Sequence, residues 1–461
     1  MALHASGLIE RNEAAGRSGD TRRMWTYYPD LLAAPVPRYT SYPTAAEFSE
    51  AVGPADYAAA LETASGDASL YLHIPFCQKV CWYCGCNTSA AGRTHRVDAY
   101  LDALQAEIAL VAERTSRDMG FGSIAFGGGS PNAISPIQFV RLVDRLTVAF
   151  GLVDPTFSIE LDPRSLGEDW GPALQAVGVS RASLGVQTFA PALQSAIGRV
   201  QPAISIERAT GMLRKAGVTS LNFDLMYGLP GQTLADLEDS LDRTVTLGAD
   251  RIALFGYAHL PQQIKRQRRI DGTALPDQAQ RFTMAAFGYE FLIDEGYVPV
   301  GFDHFARPGD PLAQAACLGR VRRNFQGFTE VQSDIVVGLG ASAISSFPDL
   351  LAQNDKNTGR YRMRAGARQF ATAGGVRRSA EDRAMAELIE ALLCQGATFL
   401  DFVPSARLMD ELRSYFERGL LEMTNDRLFI NPGGMPYARC IAALIAAEAQ
   451  RTSTHRFSTA I

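Results

Sequence analysis

The chain has 461 residues, 47% of them hydrophobic and 20% charged, with a formal charge of −5 at neutral pH. This length and apolar content suffice for a large core plus a smaller second domain, and the acidic balance argues against a general nucleic-acid binder. No apolar run reaches the roughly 18–20 residues that span a bilayer, and the first 20 residues lack the apolar stretch of a secretion signal; the expectation is a cytoplasmic protein with reduced thiols.

In chain order, residues 1–20 are polar and rich in small side chains and read as a flexible tail. PRYTSYPTAAEF (37–48) has two prolines, two tyrosines and several hydroxyl residues, and reads as an extended arm. A helical stretch from Asp56 to Thr63 follows. Six apolar runs then alternate with helix-period segments: LYLHIP (70–75), SIAFGGG (123–129), FSIELDP (157–163), ASLGVQ (182–187), SLNFDLMYGLP (220–230) and RIALFGYAHLP (251–261). Such alternation predicts an α/β fold, a parallel sheet covered by helices. Six units predict a partial (β/α)6 barrel with chemistry at the carboxyl ends of its strands. Beyond residue 300 the chain is glycine- and aromatic-rich loop and strand. From Ser379 it is helical (EDRAMAELIEALLC, SARLMDELRSYFERGLL), then comes a hairpin at DRLFINPGGM and a last helix, YARCIAALIAAEAQ. The expected division is an arm over 1–66, a barrel with extension over 67–365, and a mainly helical domain over 366–461.

Four cysteines lie within ten residues: Cys77, Cys81, Cys84 and Cys86. The first three have the spacing C-x3-C-x2-C. Three thiolates on one [4Fe–4S] cluster leave one iron open for reactive chemistry, whereas structural sites close all four positions. Structural zinc usually needs a second, distant ligand pair, and none follows. A disulfide framework does not suit a long chain of this kind. Cys86 is not needed as a ligand and reads either as a packed thiol or as a reactive one near substrate. Cys317, Cys394 and Cys440 are far apart and are expected to be buried packing residues.

Several polar or small residues end the apolar runs. Gly127, Gly128 and Gly129, followed by Ser130, expose backbone for a ligand. Glu160 and Asp224 are expected at the ends of the third and fifth runs, Gln187 at the end of the fourth, and Arg199 in the helix after it. Tyr71, Phe76, Tyr83 and Ala258 are candidate apolar walls. Lys265, Arg266, Arg268 and Arg269 form a basic run, read as a solvated helix face or as a contact for a polyanion. His73, His259 and His304 lie beside these motifs.

The three-cysteine loop is similar to that of the radical S-adenosylmethionine (SAM) enzymes. With PRYTSYPTA before it and FGGGSP, SIELDPR, LGVQTF, NFDLMYGLP, YAHLP, DHFARP, NFQGF, GASAIS and AQN after it, the chain from Pro37 nearly to its end resembles the oxygen-independent coproporphyrinogen III oxidases. That resemblance implies a [4Fe–4S] cluster on Cys77, Cys81 and Cys84, with Cys86 as the family's non-ligating fourth cysteine and a catalytic candidate. It implies SAM contacts from Tyr71, Gly128, Glu160 and Ile344. A second SAM is implied beside Tyr83, Gly129, Ser130, Gln187, Arg199, Asp224 and Ala258, with Gln326 nearby. Coproporphyrinogen III would be the substrate and a flavodoxin or ferredoxin the electron donor, acting on a monomer. The implied reaction removes a β-hydrogen atom from the ring A and B propionates, and each substrate radical then loses CO2 and one electron to become a vinyl group. The arm is expected to close over the barrel mouth. Three departures stand out: Ser130 where threonine is frequent, Tyr83 where phenylalanine is frequent, and Gly256 where asparagine is common. Haem-handling radical SAM relatives compete with this reading and are disfavoured by Cys86 and the arm. A zinc-stabilised binding protein is disfavoured by the crowded thiols, and an RNA-modifying radical SAM enzyme by the acidic chain.

Overall fold

The computed structural model describes residues 24–92 and 94–448. The tail expected over residues 1–20 lies outside them. A sheet of twelve strands organises the chain. All six apolar runs are strands: β1 (Gly66–Ile74), β2 (Met119–Gly128), β3 (Thr156–Leu161), β4 (Val179–Gln187), β5 (Ser220–Tyr227) and β6 (Arg251–Gly256). Each is parallel to the next. A seventh parallel strand, β7 (Ile335–Leu339), pairs with the free side of β1. The sequence around it reads only as loop and strand material, because a five-residue run carries no register information. Antiparallel strands flank this parallel set. His304–Ala306 and Val298–Val300 extend it beyond β6; Ile344–Phe347, Leu350–Asn354 and Thr372–Arg377 extend it beyond β7. The sheet does not close on itself, in keeping with a partial barrel.

Period-2 alternation gives the sheet two different faces. Leu70, Leu72, Ile74, Ile124, Leu221, Phe223 and Leu225 are fully buried against the helices. The opposite face is small or polar, and the residues between these on the strands include Ser69, Ser123, Asn222 and Asp224. The helices announce themselves locally: Ser135, Thr233, Asp277 and Ser379 each cap a helix through a capping box. One apolar core runs from Trp25 to Ala446. It therefore takes in the arm, the sheet and the C-terminal helices Ala380–Gln395, Ala406–Glu417 and Ala438–Glu448. The expected hairpin is present, with Ala397–Phe399 as a third strand. No helix among the described residues is long and apolar enough to cross a membrane.

At the amino ends of the strands, an ionic plug fills the inner face. Arg251 at the start of β6 meets Asp310 at 2.8 Å and Glu330 at 2.9 Å, and Arg181 on β4 meets Glu330 at 2.6 Å. Asp310 also accepts from Ser220 Oγ (2.6 Å) and caps the helix Pro311–Cys317. At the other end, Glu107 in the helix Thr94–Arg114 is wholly enclosed. Its carboxylate accepts from Gly340 N–H (2.7 Å), Asn354 Nδ2 (2.6 Å) and Tyr361 Oη (2.6 Å). These bonds hold the turn after β7 beneath the rim. Glu107→Ala strands three buried donors, each costing about 1–3 kcal/mol. Urea denaturation should show a loss of at least ~3 kcal/mol, and a variant as stable as the parent would contradict this account.

Cys394 and Cys440 are buried as expected, but Cys317 is exposed. It ends a short helix and is followed by exposed Leu318 and the turn at Gly319, so nothing covers it.

Candidate active site

The cysteine loop leaves β1 at its carboxyl end. Phe76–Cys77 pairs with Ser89–Ala90, which closes the loop at its base. Cys77 Sγ lies 3.2 Å from Thr88 Oγ1. Cys81 Sγ accepts from Arg164 Nη2 (3.2 Å) and Arg199 Nη1 (3.1 Å). Cys84 Sγ accepts from the Cys86 N–H (3.4 Å). The Cys86 hydrogen bond draws the Cys84 thiol down to about 6, while burial pushes Cys77 up to about 11.

The glycine turn after β2 is bound to this loop through Gly129 N–H to Ile74 O (2.8 Å) and Ser130 N–H to Phe76 O (2.8 Å). A Cβ on Gly129 would fall 2.5 Å from Phe76 O, and one on Gly128, at φ +106°, would fall 2.6 Å from the His73 ring. Only glycine fits there. His73 itself is buried between Tyr71 Oη (3.2 Å) and Asn87 O (3.1 Å), and burial lowers its pKa.

Twelve of the residues singled out from the sequence line one cavity of about 200 Å³: Cys77, Cys81, Tyr83, Cys84, Cys86, Gly128, Gly129, Ser130, Glu160, Gln187, Arg199 and Asp224. Ser130 Oγ is already engaged, donating to Asn132 Oδ1 and accepting from Asp162 N–H. Gln187 sits at φ +68° beside a register shift in β4, a strained conformation for a residue with a Cβ. Glu160 is open to the cavity yet surrounded by protein. That enclosure, together with the Asp224 charge, raises its pKa to about 7, and the Gly128 N–H (3.2 Å) opposes the shift. Burial likewise raises Asp224, against a hydrogen bond from Asn222 (2.8 Å).

Four candidates lie elsewhere. Tyr71 is buried beside His73, its ring 4.8 Å from that of Phe325. Ile344 lines a groove beneath the arm. Gln326 lines the polar interior of the barrel, and Ala258 a separate cavity beyond β6. Two positions differ from expectation. Asp224 is within β5, three residues before its end, and Arg199 lies in the loop between the helices Pro191–Ala196 and Ala203–Lys215. The sharp turn at Gly198 (φ +66°), against which the Trp82 ring lies, breaks the helix before Arg199. The basic run is a short 3-10 turn, Lys265–Arg269, and not an α-helical face. Arg266 reaches Thr88 O (3.5 Å), and Arg269 lies 6.0 Å from the Trp82 ring centre.

Sequence reading passed over Asp162 and Arg164. Asp162 stands two residues after Glu160, on the same side of the chain. Its carboxylate holds Arg164 at 2.6 Å and Arg199 at 3.4 Å, fixing both guanidinium groups against Cys81. Burial would raise the Asp162 pKa, but Arg199 and Arg164 outweigh it and hold it below the usual range. The string DPR, directly after the strand, was the available signal.

The donor set suits an iron–sulfur cube. Among the described residues, no three His, Cys, Asp or Glu side chains converge closely enough for a single ion, yet three thiols ring one cavity. A cube spreads its ligands further apart than one tetrahedral ion does.

The Radical SAM superfamily model matches residues 71–244. The oxygen-independent coproporphyrinogen III oxidase of Bradyrhizobium diazoefficiens is 41% identical over 425 residues, covering 90% of this chain and 94% of the relative. That of Paracoccus denitrificans is 39% identical over 439 residues, covering 92% and 97%. The solved coproporphyrinogen III oxidase of Escherichia coli, a radical SAM enzyme, aligns with a TM-score of 0.85 at 33% identity, over 91% of this chain and 99% of that one. With this cysteine loop on this sheet, and relatives matched over nearly their whole length, the chain belongs to the oxygen-independent coproporphyrinogen III oxidases of the radical SAM superfamily.

Proposed function

We propose that the cysteine-lined cavity carries out the family's oxidation of coproporphyrinogen III in haem biosynthesis, converting the ring A and B propionates to vinyl groups and so yielding protoporphyrinogen IX. One observation carries this reading: Cys77, Cys81 and Cys84 share a cavity with Gly128, Glu160 and Asp224 at the carboxyl rim of the sheet. When bound, the [4Fe–4S] cluster and SAM supply the reducing electron and the hydrogen-atom abstraction. The three thiols would hold the cluster, with Arg164 and Arg199 supporting the Cys81 thiolate. Cys86 lines the cavity without being needed as a ligand, and we assign it to the substrate side as a reactive thiol.

Glu160 and Asp224 face the cavity, and among the described residues each is held by a neutral N–H donor, from Gly128 and from Asn222. Two carboxylates held this way suit the ammonium and sulfonium charges of SAM. We therefore place one SAM against Tyr71, Gly128, Glu160 and Ile344. A second goes against Tyr83, Gly129, Ser130, Gln187, Arg199, Asp224, Ala258 and Gln326. The arm supports a lid role: Tyr39 and Tyr42 are buried, and Arg323 donates to Tyr39 O (3.2 Å) and Arg38 O (3.2 Å). In this reading the chain divides into an N-terminal tail and arm (1–66), a radical SAM barrel with a strand and loop extension (67–365) and a mainly helical C-terminal domain (366–461). The protein works as a cytoplasmic monomer without nucleic acid, reduced by a flavodoxin or ferredoxin.

The test is an anaerobic assay of reconstituted protein with dithionite, SAM and coproporphyrinogen III, read by mass spectrometry. Protoporphyrinogen IX with 5′-deoxyadenosine and methionine is expected. SAM cleavage without decarboxylation would shift the substrate toward that of a haem-handling relative. Equilibrium dialysis should find two SAM per chain in the parent and one in Asp224→Asn; one in both would remove the second site.

A further inference from the structure

A second cavity, of about 50 Å³, lies beyond β6, and apart from Ala258 none of its lining residues has a role in the radical chemistry above. Its walls bring together arginines from three distant parts of the chain: Arg38 from the arm, Arg281 from the helix Gln278–Asp294, and Arg439 from the last helix. The acid lining it is Asp303, whose carboxylate is bound to His304 Nδ1 at 2.6 Å. The cavity is therefore rich in positive charge and poor in negative. Arg281 Nη2 donates to Tyr257 O (2.9 Å), while its buried Nε has no hydrogen-bond partner. Arg439 is 8% exposed and lies 5.4 Å from the Phe302 ring centre. Burial depresses the pKa of both, Arg439 to about 10, so an anion entering the cavity would stabilise two desolvated charges. The volume accommodates a few water molecules or one carboxylate, not a ring.

The cavity adjoins the cysteine loop. Tyr257 packs with Trp82 and Tyr83 in one apolar cluster. Gln267 Nε2 donates both to Tyr83 O (2.8 Å) and to Ala258 O (3.0 Å), and Ala258 lines the cavity. Gln267 therefore ties the backbone of the cysteine loop directly to a wall of the cavity.

We propose that Arg38, Arg281 and Arg439 form a carboxylate subsite that anchors one propionate of the substrate while another reacts. It rests on the coproporphyrinogen reading above. Guanidinium forks match carboxylates in charge and geometry. Arg38 comes from the arm, so a bound carboxylate would add a further tie between the arm and the barrel on which it already packs.

The test uses the reconstituted holoenzyme and coproporphyrin III, the oxidised porphyrin, followed by anaerobic fluorescence titration. Arg38→Gln and Arg281→Gln should each weaken binding about tenfold, the loss expected for one charge-assisted pair. Coproporphyrin tetramethyl ester, which lacks carboxylates, should bind parent and variants alike. Cluster content and substrate-free SAM cleavage should match the parent, separating anchoring from misfolding. If Arg281→Gln does not fold, the exposed Arg38 decides. Parent-like affinity for the tetra-acid in either folded variant overturns the proposal. So does a loss of SAM stoichiometry with porphyrin affinity unchanged, which would assign the arginines to the carboxylate of a bound SAM. Failure of the parent to convert coproporphyrinogen III would instead refute the functional reading, an outcome visible in a different assay.

Discussion

Cys81→Ala, reconstituted anaerobically, should carry little or no [4Fe–4S] cluster, lose the brown absorbance near 400 nm and cleave no SAM, with activity at background. Cys77→Ala and Cys84→Ala should behave alike. The reason is the ligand count: three thiols hold the cluster, and removing one leaves two protein ligands. Cys86 lies outside the C-x3-C-x2-C spacing, and its backbone N–H donates to Cys84 Sγ. Cys86→Ala should therefore keep its cluster, and a loss equal to that of Cys81→Ala would make Cys86 a ligand. Iron and sulfide analysis of the four variants checks all of this.

Glu330→Ala should cost about 3–5 kcal/mol of folding stability, the penalty for breaking a buried ion pair and leaving its partner charged. Glu330 is 10% exposed and bridges Arg181 and Arg251, which would both lose their shared carboxylate. The pH dependence has a definite sign. Burial alone would raise the Glu330 pKa, but Arg251 and Arg181 outweigh it and hold the folded value below the unfolded one. Its contribution is therefore complete above the unfolded carboxylate range and is lost as pH falls through the depressed folded value. Denaturant midpoints measured from neutral to acid should fall more steeply in the parent than in Glu330→Gln. Identical slopes would mean the plug does not couple to folding. Because the plug sits at the amino ends of the strands, cluster content in folded Glu330→Gln should match the parent.

The parts of the site legible in the sequence are those whose geometry is local. Cys77, Cys81 and Cys84 reach one cavity because they share one loop, so their spacing alone implies a common ligand. The glycine turn is legible for the same reason, since it directly follows β2. Position within a strand was less legible. Asp224 reads as a strand end but lies inside β5, because apolar runs mark burial and not where pairing stops. Arg199 reads as helical but sits in a loop after the turn at Gly198 (φ +66°), where the Trp82 ring, more than a hundred residues earlier, leaves no room for a Cβ. Cys317 reads as buried because cysteine usually is, yet exposure is decided by neighbours.

What the sequence by itself determined is the alternation of strand and helix, the three-thiol loop and the chemistry that such a loop performs. These follow from periodicity and spacing over a few residues, where the chain's own geometry leaves little freedom. Only the tertiary structure decided that β7 returns beside β1, that Asp162 orients two guanidinium groups toward Cys81, and that Arg38, Arg281 and Arg439 share one cavity. Most of those contacts join residues tens to hundreds of positions apart. No local propensity specifies them, and they exist because burying one apolar core brings the arm, the sheet and the last helix together.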